Sequence, residues 1–578
     1  MTIISMPLVS QDPFVKQTEL VPTAPSPVSP LSSESDTSSD DDRSSSPALS
    51  TPASESSAQQ STIPRLLSQP GTCVYLPAPT VPEPAFLHNL FNERVDGQHQ
   101  TLAVCLSCAP SVADAEEEAF LFCASSLKSI GMECGRWTKQ GKVKEHTGTH
   151  YVSMLSKDDT DSPMASNVFT TAPVTHQSPF SLAALRPVYH LLSNDGKHIM
   201  YILERPPVTF PLLSATPSFN PLPCKDLCST KPNIPTLAEW QSVWAGWDLV
   251  TLGMIPQEML HQKPIDLRHK CLFYIGHIPT FLDMLLSKSI GGGPTEPKHF
   301  WNIFERGIDP HVDDPDHCHN HSDVPEKDED WPALPEILGF RNGVRARLAE
   351  LYADLESGKR QLTRNIARTL VMTIEHEGWH IETLLYMLLQ RAGTGTLPPP
   401  GFTVPPFELL ARQWDAVPPP SSSSVTLGPA EVVLGHDDSE GDDIAMSTRV
   451  EDVVDHMYGW DNESPMRTTQ VSAFRAEWRP VSNKEFETFW RASDKIEMPK
   501  SWVNEDGEIK VRTIYGPVSM SVAQHWPVLT SYDDLNAYAQ SKGGRLPTEP
   551  ELRLFLDTYD VGHEGGANIG FRNWHPTP

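Results

Sequence analysis

Between residues 235 and 391, apolar side chains recur with the period of an α-helix in four long segments, and this patterning limits the fold more than any other feature of the chain. The segments are PTLAEWQSVWAGWDLVTLGMI, CLFYIGHIPTFLDMLLSKSI, ALPEILGFRNGVRARLAELYADLES and KRQLTRNIARTLVMTIEHEGWHIETLLYMLLQRAG. Lengths of about 20 to 30 residues, each with one apolar stripe, predict a four-helix bundle with a long crossover after its second helix. Thr236 with Glu239 three residues later has capping-box spacing at the first helix's start. Pro279 is expected to bend or start the second helix.

The fourth segment contains His376-Glu377-Gly378-Trp379-His380, which fits the H-E-x-x-H pattern of zinc peptidases. Two histidines four apart project from one side of a helix and can grip one ion. His380 shares a stripe with Ile366, Leu370, Leu384 and Met387, and His376 lies on its flank, so both imidazoles look into the bundle. A peptidase needs a third ligand downstream. Thr383 and Tyr386 stand where the metzincin extension wants Gly and His, and Glu408, the next glutamate after Glu382, lies beyond a proline break. Glu382 itself sits about 200° around the helix from His380, so it suits a supporting contact to the site or to a neighbouring helix rather than a ligand position. The third ligand must come from another helix. His277, on the face of Phe273, Thr280 and Met284, is the candidate; its other reading is a buried histidine bonded to a nearby carbonyl. Three neutral imidazoles suit Zn, Fe, Ni or Cu, so ligand chemistry alone does not name the metal. DPDHCHNHSD offers His317, Cys318, His319 and His321 as a rival, but no partner pair stands at structural-zinc spacing; an ordered loop over the bundle mouth is expected. Cys105 and Cys108 form one CxxC without a second pair and read as ordinary thiols.

The rest of the chain divides by composition into a multidomain α+β arrangement. Residues 1–70 are rich in Ser, Pro and acid with little to bury, and are expected to form a disordered tail with several Ser-Pro and Thr-Pro steps. Residues 71–205 read as a small α/β region, 206–234 as a proline-rich linker, 235–415 as the bundle, and 425–578 as an irregular α+β domain. A formal net charge of -29 argues against nucleic acid, since clustered Lys and Arg are missing. No stretch reaches the ~18 to 20 unbroken apolar residues of a membrane span. The first sixteen residues lack a signal peptide's basic start and apolar core. Nine scattered cysteines suit a reducing compartment, so a soluble cytoplasmic protein is expected.

The blocks PIDLRHKCLFYIGHIPTFLD, FERGIDPHVDDPDHCHNHSDVP and EHEGWHIETLLYMLLQ resemble the DinB-like bundle of the sulfoxide synthases of thiol-histidine biosynthesis. YGWDNESP, GGRLPTEPELR and ANIGFRNWHPTP resemble the formylglycine-generating-enzyme (sulfatase-modifying-factor) fold that those synthases carry next. The resemblance spans roughly residues 232 to 578 and is closest to the fungal-type hercynylcysteine sulfoxide synthases of ergothioneine biosynthesis. It implies an Fe(II) enzyme with O2 as co-substrate that joins the sulfur of cysteine or γ-glutamylcysteine to the imidazole of hercynine and oxidises sulfur to the sulfoxide. The family's iron ligands carry over onto His277, His376 and His380. Trp379, Arg306 and Trp574 are the substrate-pocket residues the resemblance implies.

Two departures from the family stand out. Residues 71–156 lack the glycine-rich loop of the methyltransferase domain with which fungal-type enzymes usually begin, and only GMECGRWTK to THYVSMLSK resembles its closing strands, so a methyltransferase remnant is expected. The chain stops at NWHPTP, where the family continues through a GxVWEWT-like segment that supplies a catalytic tyrosine, so an incomplete third domain is expected. Two alternatives therefore stand beside the synthase: a catalytically impaired, metal-retaining interaction protein, and an ovothiol-type 5-histidylcysteine sulfoxide synthase acting on histidine.

Overall fold

The computed structural model describes residues 4–5, 71–77, 84–94, 101–107, 115–128, 132–140, 150–157, 180, 183–193, 195–206, 234–265, 268–305, 308–311, 314–320, 324–416, 421–438, 441, 453, 456 and 458–559. Apart from strand β1 (Ile4–Ser5), the tail expected over 1–70 lies outside them. Those two residues pair antiparallel with strands of the C-terminal domain, so the expectation of disorder does not hold for them. Two backbone residues inserted between two strand edges satisfy ladder groups on both sides, which composition cannot reveal.

The first lobe comprises β2 (Gly71–Leu76), α1 (Pro84–Arg94), β3 (Thr101–Ser107), α2 (Ala115–Lys128), β4 (Met132–Cys134), β5 (Thr138–Gln140), β6 (His150–Lys157), β7 (Arg186–Leu192) and β8 (His198–Glu204). They build one sheet of order β4-β6-β2-β3-β8-β7, with β5 beside β6. Among the described residues β2 and β3 are its parallel pair, joined through α1; the other pairs are antiparallel. The central strands are apolar at nearly every position because both faces are covered. Leu87, Leu90 and Phe91 of α1 lie on one face and Ala119, Cys123 and Leu127 of α2 on the other.

The bundle follows. Helix α3 (Leu237–Asp248) starts with the expected box: Thr236 Oγ1 accepts from the Glu239 amide at 3.2 Å, and the Glu239 carboxylate accepts from the Thr236 amide at 2.6 Å. It continues as a π-helical stretch, 249–254. Helix α4 (Cys271–Ile290) runs on through Pro279, so the helix does not start there, one of the two outcomes expected of that proline. Every residue from Cys271 to Thr280 is buried, so packing on all sides outweighs the one missing backbone donor. A short helix α5 (Phe300–Phe304) and a hairpin of β9 (Ile308–His311) and β10 (Asp314–Asn320) precede α6 (Leu334–Glu356) and α7 (Arg364–Leu389). The segment with His317, Cys318 and His319, expected to be a loop, is thus strand β10; His321 lies outside the described residues. Helix α4 packs against both α6 and α7, and α3 packs against α7.

The bundle ends before the expected residue 415. Helix α8 (Phe407–Ala416) buries Leu409 and Leu410 in the core under the first sheet instead, because the prolines at 398–400 and 405–406 part it from α7 and free its apolar face to turn elsewhere. Arg186 and Glu204 form a buried ion pair in the first sheet, and Thr403 bonds to both.

The C-terminal domain holds β11 (Ser424–Leu427), β12 (Ala430–Leu434), β13 (Arg467–Val471), β14 (Phe474–Glu477), α9 (Asn483–Arg491), β15 (Trp502–Glu505), β16 (Glu508–Thr513), β17 (Gly516–Ser519), α10 (Met520–Ala523), α11 (Tyr532–Ser541), β18 (Gly544–Arg545) and α12 (Glu549–Thr558). Its strands form three small sheets, β11-β14-β1-β18, β12-β13 and β15-β16-β17. The larger of its two cores gathers Phe486, Trp502 and Tyr538. The chain is a multidomain α+β protein, and none of its described helices is long and apolar enough to cross a membrane.

Candidate metal centre

Helix α7 is anchored at its start by Thr363, whose hydroxyl accepts from the Ile366 amide at 3.3 Å. Its buried stripe of Ile366, Leu370, Ile381, Leu384 and Met387 faces the bundle core and carries His376 and His380 inward, one turn apart, with ring centroids 4.6 Å apart. From α4, His277 meets them at 5.2 Å and 5.0 Å. One ring nitrogen from each of the three can be chosen so that all lie within 4.8 Å of one another. Three nitrogens each ~2.1 Å from one ion stand about 3.0 to 3.6 Å apart, so movements of about an ångström or less per ring bring all three onto one ion.

The geometry around His277 has a local cause. A Cβ on Gly276 would stand 2.6 Å from the Phe304 ring; the glycine lets that ring press against α4. The Phe304 carbonyl is thereby held 2.8 Å from His277 Nδ1. Nδ1–H donates to it, which leaves the Nε2 lone pair for a metal; such an outer hydrogen bond fixes ring and tautomer. Both sequence readings of His277, ligand and carbonyl-bonded histidine, are compatible in this one arrangement.

Electrostatics keep the lone pairs available. Burial pushes the pKa of His380 down to about 3, with the neighbouring His277 adding to it. Burial also drives His376 well below its ordinary value and lowers His277. All three rings are neutral at physiological pH, the form that binds metal. Phe281 stacks on His376 at 3.9 Å, Phe273 on His277 at 5.4 Å, and the Tyr274 ring lies 5.9 Å from that of His380. Burial raises the Tyr274 hydroxyl to about 12.

Glu377 does not face the three histidines. It is buried on the other flank of α7 beside Trp244, Trp247, Arg341 and Arg345, with its Oε1 4.0 Å from the Arg345 guanidinium. Burial raises its carboxyl to about 8. A peptidase uses this glutamate as a general base at the metal, and here it is turned toward α3 and α6. Glu382 is exposed and makes no hydrogen bond among the described residues, so the supporting contact expected from it comes instead from the Phe304 carbonyl. A position about 200° around the helix from His380 lies on the side of α7 that no described element covers. Arg306 and Trp574 lie outside the described residues, as do the side chains of His317, Cys318 and His319.

The C-terminal domain closes on the same helix through residues the sequence reading did not single out. Asp438, fully buried, takes Arg364, Arg368 Nε at 3.1 Å, His456 Nε2 at 2.9 Å and the Gly459 amide at 3.0 Å. Burial by itself would raise this carboxyl, but the bonds from His456 and Gly459 and the two arginine charges bring it down to about 2. Arg368 also donates to the Gly459 carbonyl at 3.0 Å. The loop thus fixed presents Trp460, whose Nε1–H donates to Glu375 at 3.1 Å and whose ring stacks on Trp379 at 4.9 Å. Trp379, expected in the substrate pocket, is 48% exposed, and its partner Trp460 lies 6.5 Å from the ring of His376. Trp460 lay within the quoted YGWDNESP block, but nothing local in that block signals a contact with a helix some eighty residues earlier.

Comparison with known proteins agrees with this layout. Residues 240–384 match the DinB superfamily, and residues 424–555 match the sulfatase-modifying factor enzyme 1-like domain. "Ergothioneine biosynthesis protein 1" of Neurospora crassa is 41% identical over 371 residues, 58% of this chain and 40% of that protein. The protein of the same name in Schizosaccharomyces pombe is 34% identical over 360 residues, 59% of this chain and 45% of its own length. "Hercynine oxygenase" of Mycolicibacterium thermoresistibile is 29% identical over 204 residues, 31% of this chain and 38% of that one. The chain spans less than half the length of these curated relatives. With two domain matches in this order and this similarity to two fungal proteins, the findings support a relationship to the ergothioneine biosynthesis proteins.

Proposed function

We propose that this chain acts in ergothioneine biosynthesis as a cytoplasmic non-haem iron enzyme, binding Fe(II) through His277, His376 and His380 and joining the sulfur of cysteine or γ-glutamylcysteine to the imidazole of hercynine. The observation that carries the reading is the meeting of three neutral imidazoles from two helices inside a bundle that matches the DinB superfamily. The similarity to a hercynine oxygenase supports the choice of substrate. The overall change balances: the imidazole C–H and the thiol S–H are lost, a C–S bond forms, one atom of O2 becomes the sulfoxide oxygen and the other leaves in water.

The donor set suits the ion. Three neutral imidazoles are common ligands for iron and leave coordination positions open to reactants. Bound Fe(II) supplies the redox chemistry that couples reduction of O2 to oxidation of sulfur. The chain's own residues prepare the place. The Phe304 carbonyl holds the His277 ring in one tautomer. Phe281 and Phe273 cover ring faces and keep water from the ligands. Trp379 lines the open side, where an imidazole substrate is to be held against the sulfur.

Anaerobic Fe(II) titration of the wild-type chain and of His277→Ala, His376→Ala and His380→Ala tests the ligand set. One tight equivalent is expected for wild type and at least ~100-fold weaker binding for each variant. Oxygen uptake with hercynine plus either thiol, with mass analysis of the product, tests the chemistry. Iron binding that ignores His277, or oxygen uptake unchanged when both substrates are added, would falsify the reading.

A further inference from the structure

The short helix that carries the Phe304 carbonyl is held by a buried carboxylate that touches none of the three histidines. Asp283 lies on α4, six residues after His277, and is fully buried. Its Oδ1 accepts from Thr295 Oγ1 at 2.6 Å and Arg347 Nη1 at 2.8 Å, and its Oδ2 accepts from the Thr295 amide at 2.8 Å and Trp301 Nε1 at 2.9 Å. Four donors meet the acceptor capacity of a carboxylate. Apolar packing in place of such a buried ion pair is often neutral or stabilising, so stability alone does not account for it.

Helix α5 has five residues, too few to hold a helical shape unaided, so its place depends on what it touches. On its core side Phe300 meets the rings of Phe340 and Phe304, each at 5.4 Å. Apolar contact has no direction and lets rings slide. The Trp301 N–H bond has direction, and it fixes the rotation and register of α5 against α4. Phe304 follows three residues on, about 4.5 Å further along the axis, and its carbonyl stands 2.8 Å from His277 Nδ1. Helix α4 thus carries both the ligand candidate and the group that anchors its acceptor. Arg347 extends the tie to α6 and also donates to Ser287 Oγ and the Gly291 carbonyl, which secures the segment leaving α4.

We propose that Asp283 is a positioning residue for the metal centre, acting through Trp301 and α5 to hold the Phe304 carbonyl against His277. This rests on the reading of His277 as a ligand.

The full chain, with and without Fe(II), is compared as wild type, Trp301→Phe, Asp283→Asn and Tyr352→Phe. Trp301→Phe keeps a ring in place and removes the donor, so it decides the matter if Asp283→Asn does not fold. Tyr352→Phe cuts a different buried bond of the bundle, from Trp240 Nε1 at 3.1 Å, and controls for general loosening. Nitrogen NMR of metal-free protein with isotope-labelled histidine should show His277 as one Nδ1-protonated tautomer in wild type and Tyr352→Phe, and as a mixture in Trp301→Phe and Asp283→Asn. Anaerobic Fe(II) affinity should fall ~3- to 10-fold in Trp301→Phe and at least ~10-fold in Asp283→Asn, with Tyr352→Phe binding as wild type does. In a His277→Ala background Trp301→Phe should have no further effect, because a residue acting through His277 is not additive with its loss. A single tautomer retained in Trp301→Phe, or affinity losses that add in full to that of His277→Ala, overturns this inference alone. Failure of wild type to bind Fe(II) at all overturns it together with the functional reading.

Discussion

A histidine that is to bind a metal must reach the site without its proton, and burial achieves that here at a cost to stability in acid. In the unfolded chain each imidazole takes up a proton below about pH 6.5, while in the fold His380 resists until about 3 and His376 and His277 are likewise depressed. Stability is therefore full above pH 6.5 and falls as pH drops toward the folded values. For the metal-free protein we expect His380 alone to account for a loss of ~1 to 2 kcal/mol between pH 6.5 and 5, with His376 and His277 acting in the same direction. Urea unfolding across that range measures it, and His380→Asn should flatten the slope; a slope of the opposite sign would remove the claim that these rings are neutral in the fold. The pair at i and i+4 was legible in the sequence because helix periodicity fixes which side chains share a face. The Phe304 carbonyl was not, since a backbone acceptor has no residue signature and depends on a ring packing against Gly276.

At the scale of elements, the meeting of α4 with α5 determines whether the third imidazole is aimed correctly. Gly276→Ala places a methyl group 2.6 Å from the buried Phe304 ring, so that ring must shift and with it we expect the end of α5 to move. Overpacking of this kind costs ~1 to 3 kcal/mol, and the same movement takes the carbonyl away from His277. We expect a lowered thermal midpoint together with at least ~10-fold weaker metal binding; a destabilised variant with undiminished affinity would show that the carbonyl does not orient the ring. The helices themselves were readable, down to the Thr236 cap, because their stripes and caps are local signals. Pro279 does not start the helix for a physical reason: the lost hydrogen bond is small beside the burial that encloses α4. The bound at 415 placed α8 with the bundle because a proline break marks a boundary without saying which core the next segment covers.

For the molecule as a whole, Asp438 ties the C-terminal domain to the helix that carries His376 and His380. Asp438→Asn keeps the shape but removes the charge that two buried arginines and His456 share. Removing one member of a buried ionic cluster costs ~3 to 5 kcal/mol. Calorimetry is expected to show the bundle and the C-terminal domain unfolding in separate steps in the variant and together in the wild type. A single cooperative transition in both would mean that the apolar contacts of Ala367, Met372 and Tyr458 suffice to couple them. The domain order was legible from composition and block resemblance, whereas this tie joins residues 364 and 368 to 438, far apart in sequence, and leaves no periodic trace.

Trp460 reaches past its own domain to stand next to His376. A hybrid protein that takes its bundle from one parent and its C-terminal portion from another would consequently set Trp460 against a helix surface it was never matched to. Exchanges between such proteins should succeed when the cut falls ahead of the bundle, so that Trp460 travels with Glu375 and Trp379 as one heritable block.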